Sequence, residues 1–558
     1  MRALRHGQNI RFHMTQVVGA LLLVLAACGD DDVAPMGDGG ADAGPRADAA
    51  VDGDAGPPPP IEVTYADGTV VGRTIGSVHT FLGIPYAAPP VGDLRWRPPE
   101  PPPPWTTPRD ASELGSICPQ INVLAGSDML DGDEDCLFLN VFTPEVAPSA
   151  PMPVLVWIHG GAFVLGSGGV DPGRLAEVSS TVVVTINYRL DVLGFLAHPA
   201  LTEEGEGASG NYGLYDQRAA LAWVRDRIAA FGGDASRVTI AGQSAGGVSV
   251  GIQAMSPDSE GLFHRAVVQS GPLVIVNVPT LAEAEAEGVA RAEAVGCVDV
   301  ATAATCLRGK SPAELVRAAD LEAVPGGLIY QPGFAFLPPI VDGVFVPESP
   351  RTAYAEGRFA TVPFIVGSTG DEGTLFHTDL LSTPVADETE RRTAIATRWP
   401  EDVDAILAMY PLAMYDDSDD ALTAISSDIF NCSTRKLARD LEAGGAPTWL
   451  YAFEAVPDGI LVESLELGSY HTSELLFLYD LDDPTLGRPP ADARDLVNAM
   501  QSYWSRFAAA ADPNSTGTPE WPSYETATDR HMLLVSPPAA GEGYMRAVCD
   551  FWDPIEAP

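Results

Sequence analysis

A serine between two glycines, in Gly242-Gln243-Ser244-Ala245-Gly246, follows closely on the β-branched and apolar run Val238-Thr239-Ile240, with Gly247 behind it. This reads as a strand that turns sharply into a helix with the serine at the apex. Only residues without side chains fit beside such a strained apex, which accounts for Gly242 and Gly246. The turn presents the Ser244 hydroxyl to solvent and aims the Ala245 N–H at the same point. A hydroxyl so placed can attack a carbonyl, provided that oxyanion donors, a base and an acid that orients the base are near.

Candidates for each part occur in order along the chain. Val154-Leu155-Val156-Trp157-Ile158 reads as a buried strand and runs into His159-Gly160-Gly161-Ala162-Phe163, where small residues let backbone N–H groups approach a substrate oxygen. Gly161 and Ala162 are the expected donors, with Ala245 as the third. Val362-Pro363-Phe364-Ile365-Val366-Gly367 is a further strand, followed by Ser368-Thr369-Gly370-Asp371-Glu372-Gly373 and later by Leu467-Gly468-Ser469-Tyr470-His471-Thr472-Ser473-Glu474. The order Ser244, Glu372, His471 is that of an α/β-hydrolase triad. Asp371 competes with Glu372 for the acid's place.

The elements that must position these residues alternate. Strand runs at Val154–Ile158, Val182–Ile186, Val238–Ile240, Ala266–Gln269, Phe364–Gly367 and Trp449–Phe453 are interleaved with helical stretches such as Asp216–Ala230 and Ala493–Ala510. The expected fold class is therefore α/β, a large and mostly parallel central sheet flanked by helices. No histidine, cysteine or carboxylate spacing matches a metal site, and no glycine-rich phosphate loop follows a strand, so no metal and no cofactor are expected. The formal net charge is −44, from 32 basic and 76 acidic residues. Such a surface disfavours nucleic acid and anionic membrane faces as partners.

The chain resembles the type B carboxylesterases, the α/β-hydrolase branch that includes cholinesterases, bacterial para-nitrobenzyl-type esterases and some fungal lipases. The resemblance covers roughly residues 61–555 and rests on many separate motifs. They begin with Phe81-Leu82-Gly83-Ile84-Pro85-Tyr86-Ala87, Pro89-Pro90 and Leu94-Arg95-Trp96, then Glu134-Asp135-Cys136-Leu137-Phe138-Leu139-Asn140-Val141 and Asn187-Tyr188-Arg189. Gly210-Asn211-Tyr212-Gly213-Leu214-Tyr215-Asp216-Gln217, Phe231-Gly232-Gly233-Asp234, Gln269-Ser270-Gly271 and Trp521-Pro522 with Tyr524 complete the set. The resemblance implies an α/β-hydrolase fold, a single catalytic domain with insertions over residues 61–558. It implies Ser244 as nucleophile, His471 as base and acid, Glu372 as orienting carboxylate, and Gly161, Ala162 and Ala245 as oxyanion donors. Ser270 and Glu474 match positions near the histidine, and His159 matches a residue that shapes the oxyanion loop. It also implies the pairs Cys118–Cys136, Cys297–Cys306 and Cys432–Cys549.

The activity implied is hydrolysis of a small-molecule ester. The residue before the serine is usually glutamate in this family and is Gln243 here, and the Cys118–Cys136 loop holds no aromatic residue to match a cholinesterase's cation-binding tryptophan. Both departures point away from cationic esters and towards neutral carboxylic ones. Leu328-Ile329-Tyr330 and Phe334-Ala335-Phe336, in the variable stretches 320–340 and 375–395, read either as a greasy entrance or as core and rim packing. A non-catalytic surface adhesion module of cholinesterase-like fold is the alternative function, and a peptidase or amidase would share the serine turn. Adhesion members usually lose a catalytic residue, and here all three are in place.

The first sixty residues differ from the rest. Arg2, Arg5 and Arg11 precede an apolar stretch, Val17 to Ala27, too short to span a bilayer, and Leu25-Ala26-Ala27-Cys28 resembles a bacterial lipoprotein processing site. Residues 1–27 are then a signal peptide, a start at Met14 instead leaving a shorter leader with few positive charges, and Cys28 carries the acyl chains. Residues 28–60 are dominated by Asp, Ala, Gly and Pro and read as a solvated tether. This gives an exported protein held in the cell envelope through its N-terminal lipid, or released from it. Of seven cysteines, Cys28 leaves an even six, as expected of disulfides formed outside the cytoplasm.

Overall fold

The computed structural model describes residues 60–121, 129–205, 207–274, 278–318, 337–378, 384–483 and 486–555. The leader, Cys28, the tether and the Leu328–Phe336 stretch lie outside the described residues. In chain order the strands are β1 Ile61–Tyr65, β2 Gly68–Ile75, β3 Val78–Pro85, β4 Arg109–Asp110, β5 Gln120–Ile121, β6 Leu130–Asp131, β7 Phe138–Thr143 and β8 Met152–Ile158. They continue with β9 Val182–Ile186, β10 Gly233–Gln243, β11 Arg265–Gln269, β12 Phe364–Thr369, β13 Thr448–Phe453, β14 His531–Leu534 and β15 Ala539–Gly541.

One large sheet runs β1-β2-β3-β7-β9-β8-β10-β11-β12-β13-β14-β15, with β4 attached to β2; β5 and β6 pair separately. From β9 through β14 in that order every neighbour is parallel. The margins are not. β1, β2, β3 and β7 form an antiparallel flank, and β15 pairs antiparallel with β14. The physical reason lies in the connections: Ala66-Asp67 and Gly76-Ser77 are two-residue turns that can join only antiparallel strands, whereas the parallel strands are separated by helices. The mostly parallel α/β sheet expected from the alternation is thus present, with antiparallel strands added at both edges.

The central strands are buried on both faces, as a parallel sheet under helices must be. Val154, Val156 and Ile158 of β8 face one core while Leu155 and Trp157 face the other. Phe364 and Val366 alternate with Ile365 in the same way on β12. This period of two keeps the strand ends, where the loops of interest begin, at fixed positions.

The helix expected to start at Asp216 starts at Tyr212 and runs to Arg227, where a 3-10 turn, Ile228–Phe231, takes over. Asn211, at φ 54°, ends the preceding loop with its amide bonded to Ile340 O and Asp342. Within that helix Asp216 receives the Arg189 guanidinium at 2.7 Å through both oxygens, both side chains being buried. The late helix spans Arg494–Ala510, in line with its expected range.

Three disulfides are present, Cys118–Cys136, Cys297–Cys306 and Cys432–Cys549. The last joins the long helix Ser418–Ala443 to the C-terminal helix Arg546–Ile555 across 117 residues of chain. Cross-linking so long a loop restricts the unfolded chain most. Replacing Cys432 and Cys549 by serine is expected to lower unfolding stability by about 2–5 kcal/mol in urea titrations. Alkylation of the denatured, unreduced protein is expected to label none of these six thiols.

Candidate active site

The chain crosses from β10 into the helix Ala245–Met255 at Ser244, whose backbone holds φ 57° and ψ −124°. A β-carbon-bearing residue adopts such a conformation only under surrounding constraint. The constraint is visible on both sides. A Cβ on Gly242 would lie 2.4 Å from Gly246 O, and one on Gly246 would lie 2.0 Å from Ile158 O. The Ser244 N–H is also fixed, donating to Gln269 O at 2.9 Å. Ser244 itself is half-buried at the end of the sheet.

Directly after β8, Gly161, Ala162 and Phe163 take φ values of 105°, 54° and 63°. Positive φ at three successive residues, two of them bearing side chains, marks a constrained loop. The N–H groups of Gly161, Ala162 and Ala245 donate to no protein acceptor among the described residues. They flank the serine because Gly160 packs against it: a Cβ there would be 3.0 Å from Ser244 Cβ. His159 turns inward. Its ring stacks on Tyr188 at 4.3 Å, its Nδ1 pairs with Gly160 O at 2.7 Å, and Tyr188 Oη donates to His159 O. Burial pulls the His159 pKa down to about 4, so it braces the loop as a neutral ring.

The two neighbouring carboxylates have separate tasks. Glu372, wholly buried, pairs its Oε2 with His471 Nδ1, while its Oε1 accepts the Thr369 N–H at 2.8 Å. Asp371 points the other way and accepts from the Ser469 N–H at 2.8 Å and from Ser469 Oγ at 3.0 Å. A Cβ on Gly468 would sit 2.2 Å from Asp371 Oδ2, so only glycine lets the loop close on this carboxylate. Asp371 thereby holds the segment that delivers His471, and Glu372 meets the imidazole itself.

His471 Nε2 is engaged as well. The Gln243 amide nitrogen lies 3.1 Å from it, and no hydrogen bond joins Ser244 Oγ to His471 among the described residues. Phe376 and Phe430 approach the imidazole with centroids at 4.9 Å and 5.2 Å, and stack on each other at 5.6 Å. Sequence reasoning gave no role to Phe430, which arrives from the middle of the long helix Ser418–Ala443, nor to the side-chain contact of Gln243.

Ser270 and Glu474, expected near the histidine, are both buried. Ser270 sits at φ 47° just past β11, and its N–H donates to Gly367 O. Glu474 opens the helix Glu474–Tyr479, and its Oε1 accepts from Gln269 Nε2 at 3.2 Å. Gln269 Oε1 in turn accepts from Trp504 Nε1 at 3.1 Å. One residue therefore fixes Ser244 by its backbone and Glu474 by its side chain. Burial, helped by the nearby Glu372 charge, pushes the Glu474 pKa up to about 8.

Residues 58–552 match the carboxylesterase family. The chain is 34% identical over 498 residues to fumonisin B1 esterase of Sphingopyxis macrogoltabida, covering 87% of this chain and 88% of that protein. It is 36% identical over 490 residues to para-nitrobenzyl esterase of Bacillus subtilis (strain 168), covering 85% and 94%. A solved structure of PNB esterase superimposes with a TM-score of 0.74 at 32% identity, over 88% of this chain and 99% of that one.

The raised Glu474 pKa has a testable sign. Between its ordinary value of 4.5 and about 8, the folded protein keeps a proton that the unfolded chain releases. Over that window this group's stabilisation falls as pH rises, by about 1.4 kcal/mol per pH unit. Glu474→Gln mimics the protonated form and removes the effect. Urea unfolding at pH 5.5, 6.5 and 7.5 is expected to give a less negative stability slope in Glu474→Gln than in the parent. Equal slopes would count against a neutral buried Glu474.

Proposed function

The chain belongs to the carboxylesterase family, and we propose that it hydrolyses neutral carboxylic esters through Ser244, His471 and Glu372. The observation that carries this reading is the buried Glu372–His471 pair, set behind a serine held at a strained strand-to-helix turn. Pairing with Glu372 keeps the Nδ1 proton on His471 and leaves Nε2 as a base. His471 Nε2 takes the proton of Ser244 Oγ as that oxygen attacks the ester carbonyl. The N–H groups of Gly161, Ala162 and Ala245 receive the negative charge that develops on the carbonyl oxygen. His471 returns its proton to the departing alkoxide, which leaves as an alcohol and an acyl-serine remains. Water then attacks the acyl group with the same base and donors, and the acid is released.

The substrate class proposed is a neutral carboxylic ester of small to medium size. The uncharged Gln243 beside the serine supports this. We further propose the chain organisation read from the sequence: a signal peptide over 1–27, an acylated Cys28 with a tether to residue 60, and the catalytic domain over 61–558. Three disulfides are consistent with export from the cytoplasm. No helix among the described residues is long and apolar enough to cross a membrane. Attachment would rest on the lipid alone.

The test is p-nitrophenyl butyrate hydrolysis by the full chain made in an oxidising compartment. Ser244→Ala is expected to reduce kcat by several orders of magnitude. Glu372→Gln is expected to cost about 10⁴-fold, as loss of an orienting carboxylate does in other triads. Asp371→Asn should leave most of the turnover and lower thermal stability instead. Hydrolysis unchanged by Ser244→Ala would overturn the reading.

A further inference from the structure

Gln243 stands where the serine turn, the oxyanion loop and the histidine meet. Its side chain is buried, with Nε2 at 3.1 Å from His471 Nε2. Its Oε1 lies against the oxyanion loop, 3.1 Å from where a Cβ on Gly160 would stand. The two ring nitrogens of His471 thus have two different partners, Glu372 at Nδ1 and Gln243 at Nε2. A carboxylate at Nδ1 keeps the proton there, which leaves a lone pair on Nε2. An amide N–H can donate into that lone pair.

We propose that Gln243 is a positioning residue that orients the neutral, Nδ1-protonated form of His471 in the resting site and yields its single Nε2 lone pair to Ser244 Oγ when an ester binds. The proposal rests on the Ser244–His471–Glu372 reading. A carboxamide can donate its N–H to the bare nitrogen, and this neutral bond gives way to the serine hydroxyl more readily than a charged one would. A carboxylate at position 243 could only accept, and would favour the imidazolium before any substrate arrives. The surroundings of the ring make this choice matter. Glu372 is the charged group in contact with it, Phe376 and Phe430 wall it with apolar surface, and Asp371 is turned away to Ser469. Glu474, on the helix that follows, faces Gln269 and is held neutral by burial up to about pH 8. A second full charge at position 243 would meet little to screen it.

Two variants of the full chain, Gln243→Glu and Gln243→Met, test this. The downfield proton signal of His471 Nδ1–H, followed against pH without substrate, reads the ring's charge state directly. Profiles of kcat and KM against pH for p-nitrophenyl butyrate read its use. In Gln243→Glu, both the proton titration and the acid limb of kcat/KM are expected to move to higher pH by about one unit or more. In Gln243→Met, kcat is expected to fall about tenfold from loss of one hydrogen bond to the base, with no upward shift of the limb. KM is expected to stay within about twofold in both, because the residue acts through His471 and not on the ester. If either folded variant titrates and turns over like the parent, the proposal is overturned for the property that variant removes. A Met variant that fails to fold leaves the near-isosteric Glu variant to decide. Absence of esterase activity in the parent would sink the triad reading instead, and the proton titration would still judge Gln243.

Discussion

The close approach of Gly246 to Ile158 O is the constraint from which the site follows. Any side chain at residue 246 would drive the helix Ala245–Met255 away from the end of β8. That strand end is where the Gly160–Phe163 loop starts, so the same displacement would separate Gly161 and Ala162 from the serine. The parallel pairing of β8 with β10 places Ile158 beside Gly242, one residue pair from the turn. Ser244 and the Gly160–Phe163 loop are therefore adjacent because two neighbouring strands end together. Neither could be moved alone.

The carboxylate and the imidazole reach this point from farther along the chain and need separate fastening. Adjacent side chains leaving the end of β12 diverge, and the pair Asp371-Glu372 exploits that divergence. One carboxylate grips the backbone of the histidine loop and the other receives the imidazole. A wholly buried Glu372 would be costly if its oxygens were idle, but both are bonded. The helix that bears it is seated by Gly373, whose N–H donates to Ser427 Oγ at 2.8 Å and whose missing side chain admits Thr423 O. The long helix beneath is in turn joined by Cys432–Cys549 to the C-terminal helix. The placement of Glu372, and with it of the His471 ring, thus depends on segments more than a hundred residues apart.

What the sequence made legible was local. Continuous apolar runs such as Val182–Ile186 announce buried strands, and small residues around Ser244 and after Ile158 announce backbone that must pass close to something. The family resemblance, which places the acid second in the pair, singled out Glu372, although nothing in the Asp371-Glu372 dipeptide itself said which carboxylate would meet the ring. The disulfide pairs were expected through resemblance and not through spacing. The antiparallel flank was not read, because Phe81, Ile84 and Leu139 are as apolar as the parallel strands and only the two-residue turns distinguish them. Phe430 and the Gln243–His471 and Gln269–Glu474 contacts were beyond reach for a simpler reason. Each joins residues brought together only by the completed sheet, and a polar side chain in a sequence carries no sign of its distant partner.

The strand order also decides how the molecule would respond to a mechanical pull. β1 lies six places from β10 in the order β1-β2-β3-β7-β9-β8-β10, roughly 30 Å away at about 4.8 Å per strand. Tension applied at Ile61 would load the pairs between β1 and β2 one after another, from Ile61–Gly72 towards Tyr65–Gly68, as a zip opens. Peeling of this kind needs little force per bond. It would then meet Tyr65, whose ring touches Trp105, Trp223 and Phe231 with centroids 5.6–5.9 Å apart, and many contacts would have to break at once. Drag or crowding transmitted through the N-terminus would be dissipated first in one edge strand, far from the strand ends that hold the serine.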